Sequence, residues 1–282
     1  MGVRLEGKKI VESLRAELKA RIETLGRRGV TPSVLILRVG EREDDIAYER
    51  GILRSCGALG INSRVDELTQ DISTNELIRV IESANKDSSV HGIMLFRPLP
   101  AHLDQDLISK AIAPEKDIDC MSPLNLEKVF EGKTSGFAPC TPKAVVETLK
   151  GYEIPLAGAN IAIAGRSMVV GKPLAMLLLN ENATVTICHS KTEDMAAVTG
   201  NADIVVAAIG KAKFMGEEYF NPDSIVIDVG INDAGDGKIC GDVDYENVFG
   251  QVKAITPAVG GLGAVTTAIL LSHVVEACER LT

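Results

Sequence analysis

Residues 160–192 read "NIAIAGRSMVVGKPLAMLLLNENATVTICHSKT", and this stretch decides the fold class. It contains a short apolar strand, a loop from Gly165 to Gly171, an apolar helix and a second strand. This order predicts a nucleotide site, because a phosphate at the N-terminus of the helix would meet backbone N–H groups and the positive end of the helix dipole. The spacing G-x-x-x-x-x-G departs from the G-x-G-x-x-G fingerprint of Rossmann domains. On spacing alone, a purely structural turn is nearly as compatible.

The end of the second strand bears on the choice of cofactor. In Rossmann domains an acidic residue at this point contacts the adenosine ribose of NAD, but here the strand ends in His189, Ser190 and Lys191. Arg166 lies in the phosphate loop. Arginine, serine and lysine side chains suit a 2′-phosphate, so the pattern predicts NADP, with NAD as the alternative. We expect no metal site at His189, since no second His or Cys stands at ligand spacing.

The C-terminal half contains five apolar runs, at residues 159–165, 183–190, 202–210, 223–230 and 252–256. Continuous apolar runs are typical of parallel strands that are buried on both faces. Gly210 and the segment Asp228–Gly230 end two of these runs, at the sheet edge where such folds bind ligands. A helix-cap or turn-cap role for Asp228 is equally compatible with its position. Residues 235–237 predict a hairpin-like turn.

The N-terminal half also alternates between helical and extended patterns, which predicts a parallel sheet covered by helices. One predicted helix, "DDIAYERGILRSCGALGI" (44–61), places Tyr48, Ile52 and Cys56 on one face at steps of four. That face carries no Lys, His, Asp or Glu. A tyrosine on such a face is more often a packing residue than a catalytic one. We place the boundary between the two halves near residues 140–150.

Composition excludes several classes of protein. The 282-residue chain has a net charge of −9, and an acidic surface disfavours binding to nucleic acid. Its six cysteines form no C-x-x-C pair, and the N-terminal residues contain no apolar leader, so we expect thiols in a reducing cytoplasm. Residues 254–277 are mostly apolar, but Pro257 and three glycines interrupt them. They therefore predict a strand end, a glycine turn and a buried helix rather than a membrane span.

Six motifs together identify a family. "PEKDID", "PCTP", "GRSMVVGKPLAMLL", "ATVTICHSKT", "VIDVGIN" and "ITPAVGGLG" resemble the motifs of the methylenetetrahydrofolate dehydrogenase/methenyltetrahydrofolate cyclohydrolase family, in the same order and across essentially the whole chain. The resemblance implies two α/β domains flanking a cleft, the C-terminal one a Rossmann-like parallel sheet. The folate domain would span residues 1–142 with the last helix (264–282), and the NAD(P) domain residues 143–263. A homodimer is also implied.

The chain departs from the family's N-terminal motifs at specific positions. The family's Tyr is Tyr48, its Ser is Asp45, and the Lys that follows the Tyr by four positions is Ile52. The strand motif Val-Gln-Leu-Pro-Leu-Pro appears as residues 95–100, and its Gln is assigned to Arg97. A naturally monofunctional dehydrogenase branch of the family also departs at the Lys and Gln positions.

Other motif positions are largely retained. The folate-binding Asp is Asp119, although the Gly that follows it in the family is Cys120. The final glycine-rich loop keeps Pro257, Gly260, Gly261, Gly263 and Thr266, while Val259 and Ala264 replace two prolines.

The resemblance implies roles for residues of both halves. The catalytic set would be Tyr48, Asp119, Arg97 and the position of Ile52, and the folate contacts would be Tyr48, Leu99, Asp119, Pro257, Gly260 and Gly261. The predicted cofactor contacts are Gly165, Arg166, Ser167, Val170, Gly171, Pro173, His189, Ser190, Lys191, Thr192, Ala208, Gly210, Lys211, Asp228, Gly230 and Ile231.

The two reactions of the family require different groups. Hydride transfer needs the folate carbon held against the nicotinamide, and the cofactor supplies the chemistry. Hydrolysis of the methenyl product needs proton transfer, and losing such a group typically costs about 10²- to 10⁴-fold in rate. Because Ile52 cannot transfer a proton, we predict a dehydrogenase of 5,10-methylene-tetrahydrofolate with little cyclohydrolase activity.

Three alternatives remain open. Arg97, paired with Asp45 or Asp119 or bound to the glutamate tail of the folate, would sustain a weak hydrolase. In the second alternative, the folate site binds another pterin or one-carbon carrier instead. Finally, the chain would be a non-catalytic subunit that binds folate or NADP, although intact cofactor motifs argue against that.

Overall fold

A computed structural model describes residues 2–235 and 238–282. The chain divides into two compact α/β units: residues 13–140 with 267–282, called here the N-terminal unit, and residues 1–12 with 141–266, called the C-terminal unit. The predicted α/β class is confirmed. The observed division differs from the predicted one at the first twelve residues and, by two or three residues, at the boundaries near residues 140 and 266. The first twelve residues belong to the C-terminal unit because β1 (Val3–Arg4) pairs in parallel with β11 (Ala254–Ile255).

The N-terminal unit is built on a three-stranded parallel sheet of order β3-β2-β4. The strands are β2 (Ser33–Val39), β3 (Asn62–Leu68) and β4 (Gly92–Leu95). The helices are α1 (Lys8–Arg27), α2 (Glu43–Leu59), α3 (Thr74–Lys86), α4 (Gln105–Ala111), α5 (Pro123–Phe130) and α10 (Leu262–Leu281). The first residues of α1 and of α10 belong to the C-terminal unit. Leu35, Leu37, Leu77, Ile81 and Ile93 belong to one hydrophobic core cluster and are each at most 1% exposed.

The C-terminal unit contains a six-stranded sheet of order β1-β11-β8-β7-β5-β6, in which every strand pair is parallel. The four longer strands are β5 (Asn160–Ala164), β6 (Thr184–Cys188), β7 (Ile204–Ala207) and β8 (Ile225–Asp228). β5, β7 and β8 are mostly apolar and buried, as expected for parallel strands covered on both faces, whereas the edge strand β6 alternates exposed threonines with less exposed residues. The helices are α6 (Cys140–Gly151), α7 (Gly171–Asn180), α8 (Met195–Gly200), a 3₁₀ turn (Glu217–Tyr219) and α9 (Tyr245–Val248). The predicted Rossmann-like parallel sheet is confirmed.

A short antiparallel pair lies outside this sheet. β9 (Asn232–Asp233) pairs with β10 (Ile239–Cys240), on either side of the predicted hairpin-like turn. Residues 236 and 237 of that turn lie outside the described residues.

Helix α10 is long and apolar enough to cross a membrane by length and composition, but 61% of its most apolar window is buried inside the protein. Ile269, Leu270, Val274 and Val275 are each at most 1% exposed. The helix therefore has the burial of a core helix.

A buried ion pair joins α2 to the sheet of the N-terminal unit. Arg38 of β2 donates from Nε to Glu49 of α2 at 2.8 Å, and its Nη2 lies 3.0 Å from Glu67 of β3. The hydrogen bond that Arg38 donates to Glu49 raises the pKa of Arg38, so the guanidinium remains charged. Because Arg38 and Glu49 are 4% and 7% exposed, this pair sets the orientation of the helix that carries Tyr48.

We expect Glu49→Leu to destabilise the N-terminal unit by about 3 kcal/mol, because removing one partner leaves a buried guanidinium short of its counter-charge. The measurement is the free energy of unfolding in denaturant. Asp44→Asn is the control on the same helix, since the Asp44–Arg42 pair is exposed and its loss should leave the midpoint of unfolding unchanged. Equal stability of the two variants would contradict a structural role for the buried pair.

Candidate active site

The phosphate loop of the C-terminal unit connects β5 to α7. Gly165 has a φ of 138°, and a Cβ added there would lie 2.1 Å from the carbonyl oxygen of Ala208. A Cβ at Gly171 would lie 2.1 Å from the carbonyl oxygen of Gly165. Both positions therefore require glycine, and the loop folds tightly over the end of β7. A tight glycine loop that leads into a helix N-terminus fits a dinucleotide pyrophosphate.

Other predicted cofactor residues hold this loop and helix in place. The Ser167 hydroxyl accepts a hydrogen bond from the Val170 backbone N–H at 3.1 Å, directly before the helix. Pro173 is buried in the first turn of α7, whereas Arg166 and Ser167 are exposed. The loop thus presents a guanidinium and a hydroxyl to solvent above the helix N-terminus.

The turn after β6 is organised around its own side chains. Thr192 Oγ1 accepts from the His189 backbone N–H at 2.9 Å, and His189 Nδ1 accepts from the Lys191 backbone N–H at 3.1 Å. Ser190 and Lys191 are exposed. β5 and β6 are neighbours, with Ala164 opposite Cys188, so Arg166, Ser190 and Lys191 emerge from adjacent strand ends. Among the described residues, no group of three or more His, Cys, Asp or Glu side chains could hold a metal ion.

The carboxylate of Asp228, at the end of β8, accepts hydrogen bonds from backbone N–H groups. Its Oδ1 accepts from the N–H groups of Gly230 (2.9 Å) and Asp242 (3.0 Å), and its Oδ2 accepts from Val243 (3.0 Å). Burial raises the pKa of Asp228 to about 6. These hydrogen bonds match the turn-cap alternative. Ile231 is 67% exposed beside this turn.

Asp242 is a residue that sequence reasoning missed. It is fully buried, and its Oδ2 accepts from the backbone N–H groups of Ile209 (2.6 Å) and Gly210 (2.9 Å). Its Oδ1 accepts from the Lys211 N–H and from Asn232 Nδ2, both at 2.9 Å. The segment Gly241–Asp242 resembles a surface turn in a single sequence, so only the contacts identify it as part of the loop that contains Gly210 and Lys211.

In the N-terminal unit, Tyr48 of α2 lies beside the end of β4. Its ring makes an edge contact with Phe96 at 6.0 Å between centroids. Burial, and then the nearby Cys140 and Asp119, raise the pKa of Tyr48 above its ordinary value, while a hydrogen bond with Thr267 opposes the shift. Tyr48 therefore keeps its proton. One helical turn further on, Ile52 is 0% exposed.

Arg97 and Asp119 form the charged part of this site. Arg97 Nη2 lies 2.9 Å from Asp119 Oδ2, and the backbone N–H of Cys140 lies 3.4 Å from Asp119 Oδ1. Of the predicted partners of Arg97, the structure thus selects Asp119 rather than Asp45. Cys120 has a φ of 54°, a conformation that favours glycine. Cys120 thus occupies a backbone conformation that glycine, the family's residue at this position, adopts readily.

The assignment of the family's Gln to Arg97 is wrong by one position. Counted residue by residue, Val-Gln-Leu-Pro-Leu-Pro places the Gln at Phe96 and the first Leu at Arg97. Phe96 is the residue whose ring contacts Tyr48. By the resemblance, the family's Lys would stand at Ile52 and its Gln at Phe96, where they would perform and tune proton transfer. Both positions hold apolar side chains in this chain.

The remaining predicted folate residues lie in different parts of the chain. Leu99 is 6% exposed within the core of the N-terminal unit. Pro257, Gly260 and Gly261 belong to the C-terminal unit. A Cβ at Gly261 would lie 2.1 Å from the carbonyl oxygen of Pro257, and the Gly260 carbonyl accepts from the Gly7 N–H at 2.9 Å. The loop is thus tied to the N-terminal residues of its own unit.

Comparison with known proteins identifies the family. Residues 5–119 match the family model for the catalytic domain of tetrahydrofolate dehydrogenase/cyclohydrolase, and residues 139–282 match that for its NAD(P)-binding domain. The bifunctional protein FolD of Clostridium botulinum is 54% identical over 276 residues, which are 98% of each chain. The chain belongs to the tetrahydrofolate dehydrogenase/cyclohydrolase family. It is an NAD(P)-dependent enzyme of one-carbon metabolism, and the predicted family and dehydrogenase class are confirmed.

Solved structures agree with this assignment. The bifunctional FolD dehydrogenase/cyclohydrolase of Campylobacter jejuni has a TM-score of 0.96 at 38% identity, over 99% of each chain. The FolD of Trypanosoma brucei, solved with NADP cofactor and an inhibitor, has a TM-score of 0.94 at 31% identity, over 99% of this chain and 98% of that one.

We expect Gly165→Ala to weaken the binding of the nicotinamide cofactor by at least about tenfold, which corresponds to about 1.4 kcal/mol. The added methyl group would collide with the Ala208 carbonyl and strain the backbone. The measurement is calorimetric titration with NADP⁺ and NAD⁺. Gly200→Ala is the control, because a Cβ at Gly200 meets nothing within 4 Å. Unchanged cofactor binding in Gly165→Ala would contradict the placement of the phosphate loop.

Proposed function

We propose that the protein oxidises 5,10-methylene-tetrahydrofolate to 5,10-methenyl-tetrahydrofolate with NADP⁺ as hydride acceptor, and that it has little cyclohydrolase activity. The observation that carries the second half of the proposal is the fully buried Ile52 at the position of the family's lysine. The dehydrogenase half is supported by the family assignment and by the geometry of the phosphate loop.

The chain's own residues bind and orient in the dehydrogenase reaction. NADP⁺ would supply the hydride-accepting carbon, so the protein has to hold the folate and exclude water. Tyr48 would offer a protonated hydroxyl and an aromatic face. Asp119, oriented by Arg97 and by the N–H of Cys140, would accept hydrogen bonds from the N–H groups of the pterin.

Hydrolysis requires a base, and of the predicted catalytic side chains only Asp119 has a basic group, which is occupied by its ion pair with Arg97. Tyr48 retains its proton because burial raises its pKa. Arginine does not deprotonate in proteins, and the charge of Arg97 is paired with Asp119 at 2.9 Å. Ile52 and Phe96 have no ionisable group. Uncatalysed hydrolysis would then be the main route from the methenyl product.

Retained bifunctionality is the second candidate. It is favoured by the 54% identity to the Clostridium botulinum protein, which is named bifunctional. In that case the Arg97–Asp119 pair would activate water, with Asp119 as proton acceptor. Two assays on the same purified protein distinguish the candidates: reduction of NADP⁺ with methylene-tetrahydrofolate, and loss of methenyl absorbance without cofactor.

We expect the wild-type protein to reduce NADP⁺ while the methenyl compound decays at its spontaneous rate. The double variant Ile52→Lys, Phe96→Gln restores the family's proton-transfer pair, and its hydrolysis should rise by about 10²-fold. Ile52→Met is the control for a change of shape without a new base.

Because Ile52 is fully buried, the double variant has to be shown to be folded. Retained dehydrogenase activity and an unchanged melting temperature would establish this. Wild-type hydrolysis well above the spontaneous rate would contradict the loss of cyclohydrolase activity. A folded double variant without faster hydrolysis would show that the missing lysine is not the cause.

NADP is the proposed cofactor, with NAD as the alternative. Arg166, Ser190 and Lys191 are exposed at adjacent strand ends, and the turn that follows β6 carries no acidic residue before Glu193. The related Trypanosoma brucei structure contains NADP. The cationic side chains would neutralise a 2′-phosphate.

Arg166→Ala should raise KM for NADP⁺ by about tenfold or more and KM for NAD⁺ by less than about threefold, since a phosphate–guanidinium contact is a charge-assisted pair. Steady-state kinetics with each cofactor measure this difference. Lys253→Ala, at an exposed lysine of the same unit, is the control. Equal increases for the two cofactors would assign Arg166 to the pyrophosphate or to the loop.

Cytoplasmic location and a homodimer complete the proposal. All six cysteines are buried thiols, which suits a reducing compartment. The homodimer is supported by the resemblance to the family.

A further inference from the structure

The carboxylate of Asp242 is fully buried, yet within the described residues its hydrogen-bond donors are all neutral. Four N–H groups converge on it: three consecutive backbone amides from Ile209 to Lys211 and the side-chain amide of Asn232, at 2.6 to 2.9 Å. Within the described residues, no Lys or Arg side chain forms a salt bridge with it. A buried carboxylate is costly unless its lone pairs are filled, and here four contacts fill them.

The geometry of the loop explains why three successive amides point to one carboxylate. Gly210 has a φ of 73°, which turns the chain so that the N–H groups on either side face inward. Such a concave run of amides binds anions. A neutral side chain would leave part-buried donors without a partner, and a fully buried donor left in that state costs about 1–3 kcal/mol. Only a carboxylate accepts from all four donors, so the loop conformation depends on Asp242.

This loop follows β7 at the carboxyl edge of the parallel sheet, where folds of this kind bind their ligands. It also adjoins the phosphate loop, because a Cβ at Gly165 would lie 2.1 Å from the Ala208 carbonyl oxygen. A shift of residues 209–211 would therefore move Ala208 against Gly165. The amides of this loop are already bonded to Asp242, so they position the loop rather than contact the cofactor.

A second carboxylate supports Asp242. The backbone N–H of Asp242 donates to Asp228 Oδ1 at 3.0 Å, and that of Val243 donates to Asp228 Oδ2 at 3.0 Å. A Cβ at Gly230 would lie 2.4 Å from Asp242 Oδ1, and one at Gly241 would lie 1.8 Å from Asp228 Oδ2. The two carboxylates therefore lie in close contact with the backbone. They link the end of β8 to the loop after β7.

We propose that Asp242 is a positioning residue for the nicotinamide cofactor: it holds residues 209–211 in the cofactor-binding conformation before the cofactor arrives. Preformed loops bind more tightly because no ordering cost is incurred on binding. The inference rests on the cofactor-binding role of the C-terminal unit in the proposed function, and it is independent of the loss of cyclohydrolase activity.

The test compares Asp242→Asn with Asp244→Asn. In Asp242→Asn an NH₂ group replaces one oxygen and faces two donors, so the Kd for NADP⁺ should rise by about tenfold or more, a change of about 1.4 kcal/mol. The KM for methylene-tetrahydrofolate should change by less than about threefold. Asp244 contacts the side chain of Asn247, so Asp244→Asn controls for the loss of a nearby negative charge and should bind NADP⁺ like the wild type.

Amide hydrogen exchange separates positioning from general destabilisation. In the wild type without cofactor, the amides of Ile209, Gly210 and Lys211 should be protected, and NADP⁺ should change their protection little. In Asp242→Asn these three amides should exchange faster while the amides of β5 and β7 remain protected. The wild-type measurement also applies if Asp242→Asn fails to fold.

Two results would overturn the inference: an unchanged Kd for NADP⁺ in folded Asp242→Asn, or wild-type amides at 209–211 that become protected only when NADP⁺ is added. A wild-type protein that binds neither NADP⁺ nor NAD⁺ would overturn the proposed function together with the inference. The calorimetric Kd of the wild type thus distinguishes the two failures.

Discussion

Loops at the end of parallel strands must satisfy their backbone N–H groups without help from a neighbouring strand, and this constraint organises the C-terminal unit. Asp228 and Asp242 meet it by accepting hydrogen bonds from six backbone amides between them. Water would serve an exposed loop equally well, but it would leave the loop free to move. Buried carboxylates hold the loop next to Gly165, where the phosphate loop begins.

The N-terminal unit uses charge in a different way. Arg38 and Glu49 form a buried pair that orients α2, and Arg97 and Asp119 form a half-buried pair beside Tyr48. The first pair positions the helix and the second sets the charge of the site. Because Arg97 and Asp119 neutralise one another, this site carries less net charge than either residue alone would give it.

The departures from the family motifs have different consequences. Cys120 has a left-handed φ of 54°, a conformation that the family's glycine would adopt without strain. Ile52 and Phe96 are both apolar and buried, and the ring of Phe96 contacts Tyr48. The substitutions thus differ in kind: one keeps a backbone conformation suited to glycine, and two place apolar side chains where the family motifs carry polar ones.

Periodicity and motif order in the sequence determined the α/β class, the parallel sheet of the C-terminal half, the family and the phosphate loop. These features are local, since apolar runs, glycine spacing and strand ends are read along the chain. Long-range contacts were decided only by the tertiary structure: the pairing of β1 with β11, the choice of Asp119 as the partner of Arg97, and the convergence of the amides at 209–211 on Asp242. Asp242 lies more than thirty residues from the amides that it binds, and no spacing along a single chain encodes that distance.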